Sequence, residues 1–194
     1  MTALPGFRRD FSADVLRPDV SLRVSRVALF FSDLTGSTQL YSNVGDAPAL
    51  KLVQDHFDVV VKCIEAHGGT LVKTIGDAVM AAFADEMDGL RASLDILRAF
   101  EPFRAGHPDR AQVHIKLGLY AGPSYLVTAN GILDYFGQTV NIAARLQAQA
   151  ESGQLVVEAP LGAHAVRAGG AVVETYRAVL KGVNEPIEVS RIRA

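Results

Sequence analysis

Two aspartates stand out by their surroundings. Asp33 ends the apolar run from Val27 to Phe31 and is followed by the small-residue stretch Thr35, Gly36, Ser37, Thr38, while Asp77 sits with Gly76 between two β-like runs, 70–75 and 78–83. An acid at the end of one buried strand, beside an acid at the tip of a neighbouring hairpin, suits a hard divalent cation. Such ions take anionic oxygens and keep positions open for water and phosphate. The loop 35–38 adds backbone amides that could face a phosphate. Singly, Asp33 reads equally well as a helix cap and Asp77 as a turn residue bonding local amides. It is their combination that favours metal and nucleoside triphosphate chemistry. No histidine recurs at a spacing that suits zinc, so His56 and His67 read as polar-face residues and Cys63 as core packing.

The elements that must position these acids follow from the pattern. Residues 1–25 mix Pro, Gly and alternating Arg and Asp without a period and read as an irregular lead-in to a single domain over 26–194. Gly45, Asp46 and Pro48 start a helix whose apolar residues Leu50, Val53, Phe57, Val60, Val61 and Ile64 run to Gly68. Asp85 and Asp88 start a second helix, striped by Met87, Leu90, Leu94 and Leu97 and stopped by Pro102. A strand over 113–120 breaks at Ala121, Gly122 and Pro123, and short runs 125–128 and 132–136 flank an Asn130-Gly131 turn. Gly137 opens a third helix to about Ala150, with Asn141 and Arg145 sharing a face at i and i+4 while Val140, Ala143 and Leu146 face the core. Strands 154–158, 171–180 and 187–192 follow, with a short helix over 160–168. The order β-α-β-β-α-β predicts an α+β fold: a ferredoxin-like βαββαβ core with added strands and helices, its antiparallel-rich sheet backed by helices.

Composition excludes several classes. The chain has 194 residues, 49% of them hydrophobic, and a net charge of −2; its pI is near 6.2 and its mean hydropathy +0.19. That describes a core-forming globular domain with no basic field for nucleic acid or an acidic membrane. One cysteine cannot make an internal disulfide, and no apolar run approaches the roughly 18 residues of a membrane span. Composition therefore predicts a cytoplasmic domain with a small soluble partner.

The stretches FSDLTGST, GGTLVKTIGDAVMAAF and YFGQTVNIAARL resemble, in order and spacing, the motifs of the class III adenylate and guanylate cyclase catalytic domain. The resemblance covers about 26–193 and implies a head-to-tail homodimer with sites assembled from both partners. It implies that Asp33 and Asp77, with the Leu34 carbonyl, hold two Mg2+ or Mn2+ ions per site. Lys73 and Asp134 fall where the family reads the purine, Asn141 and Arg145 where it stabilises the transition state, and Lys181 where it holds the triphosphate. A lysine donor and an aspartate acceptor match N1 and the 6-amino group of adenine and mismatch guanine at both positions. The implied reaction is two-metal-assisted attack of the ribose 3′-hydroxyl of ATP on the α-phosphate, giving 3′,5′-cyclic AMP and pyrophosphate. In this arrangement Asp33 and Asp77 of one chain face Lys73, Asp134, Asn141, Arg145 and Lys181 of the other, and an upstream regulatory domain or protein is compatible with it.

Two departures from the family pattern bear on the loop and the dimer. Ser37 stands where many members carry an aromatic residue, and the segment from Pro123 to Gly137 is shorter than in receptor-type relatives. The alternative is a catalytically weak or inactive nucleotide-binding module of the same fold. Loss of a metal acid, the asparagine or the arginine would mark such a module, and none is lost.

Overall fold

A computed structural model describes residues 21–36, 42, 44–110, 113–129 and 132–194. In chain order the elements are β1 (Leu22–Thr35), α1 (Asp46–Ala66), β2 (Thr70–Ile75), β3 (Ala78–Phe83), α2 (Glu86–Ala105), a 3-10 turn (Pro108–Arg110), β4 (His114–Ala129) and β5 (Ile132–Phe136). They continue with α3 (Gln138–Gln149), β6 (Gln154–Glu158), α4 (Ala159–Arg167), β7 (Ala171–Ala178) and β8 (Ile187–Arg193).

The strands form one eight-stranded sheet in the order β2-β3-β1-β4-β6-β8-β7, with β5 paired to β4. The first four strands give the ferredoxin-like arrangement, in which β1 runs antiparallel to both β3 and β4; the pairing of β4 with β6 is parallel. β1 is covered on both faces, which explains its unbroken apolar run. Ala28, Phe30 and Leu34 pack under α1 and α2, and Val27, Leu29 and Phe31 pack with Ala143 of α3. Full burial of each large side chain such as Leu29 or Phe30 contributes about 1.5–3 kcal/mol. The alternation carries on past the core, so Asp33 falls on the α3 face and buried Ser32 on the α1 face.

The structure departs from the sequence reading at several boundaries. β1 begins at Leu22, inside the segment read as irregular. Pro102 lies within α2 rather than ending it. The last turn is held by burial of Phe103, which packs tilted against Phe100 with ring centroids 4.9 Å apart, and by Arg110 over the Phe103 ring. β4 likewise runs through Ala121, Gly122 and Pro123. Pro123 falls opposite the register shift between Val24 and Val27 of β1, where the ladder is already interrupted, so its missing N–H costs no bond. β7 stops at Ala178, two residues early, and α1 is capped by Gly45 without a side-chain bond from Asp46. The buried stripe of α1 is Ala49, Leu52, Val53, His56, Val60 and Ile64. His56 is thus fully buried rather than on the polar face, and Leu50 is exposed. His67 instead pairs with Asp95 of α2 at 2.8 Å. Among the described residues no helix is long and apolar enough to cross a membrane.

Helix α3 lies unusually close to the sheet at Gly118. A Cβ there would stand 2.2 Å from the Gln147 backbone nitrogen and 2.8 Å from the Ala143 carbonyl oxygen. Since the obstacle is helix backbone, Gly118→Ala is expected to push α3 off β4 and cost about 1–3 kcal/mol in urea unfolding.

Candidate active site

Asp33 and Asp77 leave the same end of adjoining strands. The β1–β3 ladder reaches Ser32 opposite Val79, and each acid lies just beyond it, Asp77 on a turn where Gly76 takes φ 63°. Burial and the neighbouring Asp77 charge both push the Asp33 carboxyl up from its ordinary value. Lys116, the backbone N–H of Leu34 and the Gln147 side chain pull it back. Asp77 buries its Oδ2 without any hydrogen-bond partner. Two carboxylates with one nearby lysine leave a deficit of positive charge, and an orphaned buried oxygen is what a cation would satisfy. Among the described residues no cluster of three or more acidic, His or Cys side chains is suited to a metal. An ion here would therefore complete its shell from backbone, water and substrate, as Mg2+ commonly does.

Lys116 and Gln147 escaped the sequence reading. Lys116 is the register partner of Asp33, and Gln147 is delivered by the close approach of α3 at Gly118. The strand alternation in 113–120 placed a lysine on the same face as Gly118 and could have flagged it; the helix contact is purely tertiary.

The expected purine readers do meet. Lys73 Nζ on β2 donates to Asp134 Oδ2 on β5 at 2.5 Å, and the Tyr135 backbone N–H donates to Asp134 Oδ1 at 2.8 Å. Asp134 is buried, and the Lys73 side chain keeps 38% of its exposure. Asn141 is exposed on α3 and Arg145 is half-buried beside Gly182, whose Cβ would lie 3.7 Å from both terminal guanidinium nitrogens. Arg145 therefore sits next to exposed Lys181. Thr35 ends β1 with its hydroxyl 3.1 Å from that of Ser152, and Gly36 follows at φ 85°. Ser37 and Thr38 lie outside the described residues.

The family profile described as the adenylate and guanylate cyclase catalytic domain matches residues 20–182. The chain belongs to the class III nucleotide cyclase catalytic domain family. Among curated relatives of this cyclase domain, an uncharacterized protein of Mycobacterium tuberculosis is 35% identical over 133 residues, covering 68% of this chain and 32% of its own length. Guanylate cyclase 2G of Rattus norvegicus is 31% identical over 134 residues, covering 62% of this chain and 12% of its own. The cyclase domain thus spans about a third or less of the length of these relatives. Among solved structures, the adenylyl cyclase CyaB of P. aeruginosa superposes with TM-score 0.74 at 21% identity, covering 90% of this chain and 96% of that one. The guanylyl cyclase Cya2 gives 0.75 at 16%, covering 89% and 93%. These structural likenesses establish the fold, and the similar proteins include both adenylyl and guanylyl cyclases.

Asp33 and His56 make the stability of the fold depend on pH in opposite directions. With its folded-state pKa raised, ionised Asp33 costs the metal-free fold stability as pH rises out of the acid range. Asp33→Asn should therefore raise the melting temperature in EDTA at neutral pH by a few degrees. His56 has the opposite sense, since burial holds its pKa down at about 4. The stability contributed by its neutral ring should be lost as pH falls from about 6.5 towards about 4. His56→Phe should flatten that part of the pH–stability curve.

Proposed function

We propose that this cyclase domain converts ATP to 3′,5′-cyclic AMP and pyrophosphate, in a site completed by a second copy of the chain. One observation carries the choice of ATP: an ammonium and a carboxylate lie side by side at Lys73 and Asp134. The pair still has capacity to spare. Lys73 has further N–H donors and each Asp134 oxygen a further lone pair, so a purine edge can be read by a donor and an acceptor together. Adenine offers an acceptor at N1 and a donor at its 6-amino group, whereas guanine offers the reverse. Mismatched groups left unpaired in such a site discriminate by roughly 10⁴.

The other residues then take defined tasks. Asp33 and Asp77, with the Leu34 carbonyl, would hold Mg2+ or Mn2+. When bound, these ions supply positive charge that makes the ribose 3′-hydroxyl more acidic and stabilises the departing pyrophosphate. Asn141 orients the ribose. The Arg145 guanidinium donates to the α-phosphate as charge develops there. Lys181, beside Arg145, neutralises the triphosphate, which the small-residue stretch that begins at Thr35 and Gly36 also binds.

A homodimer is supported by apolar side chains left open around Asp134. Tyr125, Ile132 and Phe136 are all about half exposed, and Tyr125 and Phe136 line a groove of about 540 Å³. Exposed apolar patches of this kind are usual at association surfaces. The shared site predicts complementation. Asp77→Asn and Arg145→Ala should each be inactive alone, while an equal mixture should recover about one quarter of wild-type activity, because half the dimers are mixed and each of those has one intact site. Failure of the mixture to recover activity, with dimers present, would refute a shared site. Asp134→Asn should lower kcat/KM for ATP by about 10²-fold with little change in melting temperature.

A further inference from the structure

Helix α3 rests on β4 at two places, and at each of them the strand carries a glycine. Gly118 and Gly122 are four residues apart and so share one face of β4. A Cβ on Gly122 would stand 2.8 Å from Thr139 Oγ1 and 3.5 Å from Thr139 Cγ2. Four strand residues cover about 13 Å. The helix from Thr139 to Gln147, which lies over Gly118, covers about 12 Å, so helix and strand run side by side in opposite directions. Thr139 is 3% exposed and donates its hydroxyl to the Pro123 carbonyl at 2.5 Å. That carbonyl suits a side-chain donor, because among the described residues Pro123 has a register partner in neither β1 nor β5. Ser124 Oγ donates at 2.9 Å to the carbonyl of Phe136, the residue before the Gly137 cap, and the helix start has no side-chain cap of its own. A valine would occupy nearly the volume of Thr139, so packing alone does not call for its hydroxyl.

We propose that Thr139 is a positioning residue for the cyclisation: seated against Gly122 and bonded to the Pro123 carbonyl, it fixes the rotation of the first turn of α3 and so places Asn141 relative to the purine pair of the same chain. This rests on the reading of Asn141 as the residue that orients the ribose. Thr139 points into the sheet, and Asn141, two residues on, lies about 200° round the helix and is exposed. The direction of Asn141 therefore follows from the seat of Thr139. The next residues of β4 pair with β5, Val127 standing opposite Asp134. A base read at Asp134 and a ribose held at Asn141 are thus referred to one strand. Without the hydroxyl the first turn keeps its burial and loses the bond that fixes its rotation. A misplacement of about 1 Å in a group that acts in the transition state can cost about 10²-fold in rate.

The test separates positioning from packing. Steady-state cyclic AMP formation is measured for wild type, Thr139→Val, Thr139→Ser and Asn141→Ala at protein concentrations where sedimentation shows dimers. Melting temperatures and hydrogen exchange of the α3 amides are followed alongside. Thr139→Val is expected to lower kcat about tenfold with KM for ATP within about twofold of wild type, and to exchange faster over the first two turns of α3. Its melting temperature should stay within a few degrees of wild type. Thr139→Ser, which keeps the hydroxyl, should restore kcat to within about twofold and slow the exchange again. Wild-type kcat or unchanged exchange in Thr139→Val would overturn the proposal. So would an equal loss in Thr139→Val and Thr139→Ser, which would give the role to the methyl group, or a Thr139→Val protein that does not fold, which would make the hydroxyl structural. No cyclic nucleotide from the wild type would overturn the cyclase reading itself. If Asn141→Ala turns over as wild type does, the ribose reading of Asn141 has failed. If Asn141→Ala loses turnover and Thr139→Val does not, only the role of Thr139 has failed.

Discussion

Two carboxylates brought to the same end of a sheet repel each other, and much of the surrounding structure is arranged to hold them there. Asp33 is fixed by the strand that carries it: β1 is sandwiched between helices on both faces, so its end cannot relax without disturbing the largest buried side chains. Asp77 is fixed by a turn that only glycine enters easily, with Gly76 at positive φ. Lys116 and Gln147 relieve part of the charge on Asp33, and Asp77 retains an unsatisfied oxygen. Stability given up at one place is the usual accompaniment of a binding site prepared in advance.

Helix α3 links this arrangement to the rest of the chemistry. Gly118 lets it lie directly on β4, which brings Gln147 to Asp33, while its outward positions present Asn141 and Arg145 away from the sheet. The same helix therefore supports Asp33 of its own chain through Gln147 and leaves Asn141 and Arg145 on other positions. That division of faces suits the shared site proposed above. Within one chain the purine pair is already assembled, with Lys73 from β2 reaching Asp134 on β5.

Much of this was legible in the residues because the signals were local. The apolar run ending at Asp33, the Gly76-Asp77 tip and the i, i+4 spacing of Asn141 and Arg145 each depend on neighbours in sequence, and the elements formed where expected. What was misread depended on tertiary context. Pro123 is a breaker in isolation, but opposite a bulge it has no bond to lose. Pro102 is retained in a helix because Phe103 is buried beyond it. His56 looked polar, yet its spacing from Val53 and Val60 already placed it on the core stripe. Lys116 and Gln147 needed the register of β4 and the approach of α3 to be recognised.

The proposed choice of adenine for cyclisation rests on the donor and the acceptor at Lys73 and Asp134. Its most direct test is product analysis after incubating the wild-type protein, over a range of concentrations, with each of ATP, GTP, CTP and UTP and either Mg2+ or Mn2+. Cyclic AMP should form from ATP well ahead of any other cyclic nucleotide, rising more steeply than linearly with protein concentration where dimers are scarce. Cyclic GMP as the main product would contradict the purine assignment. Metal-dependent ATP binding with no cyclic product would contradict catalysis and leave a nucleotide-binding module.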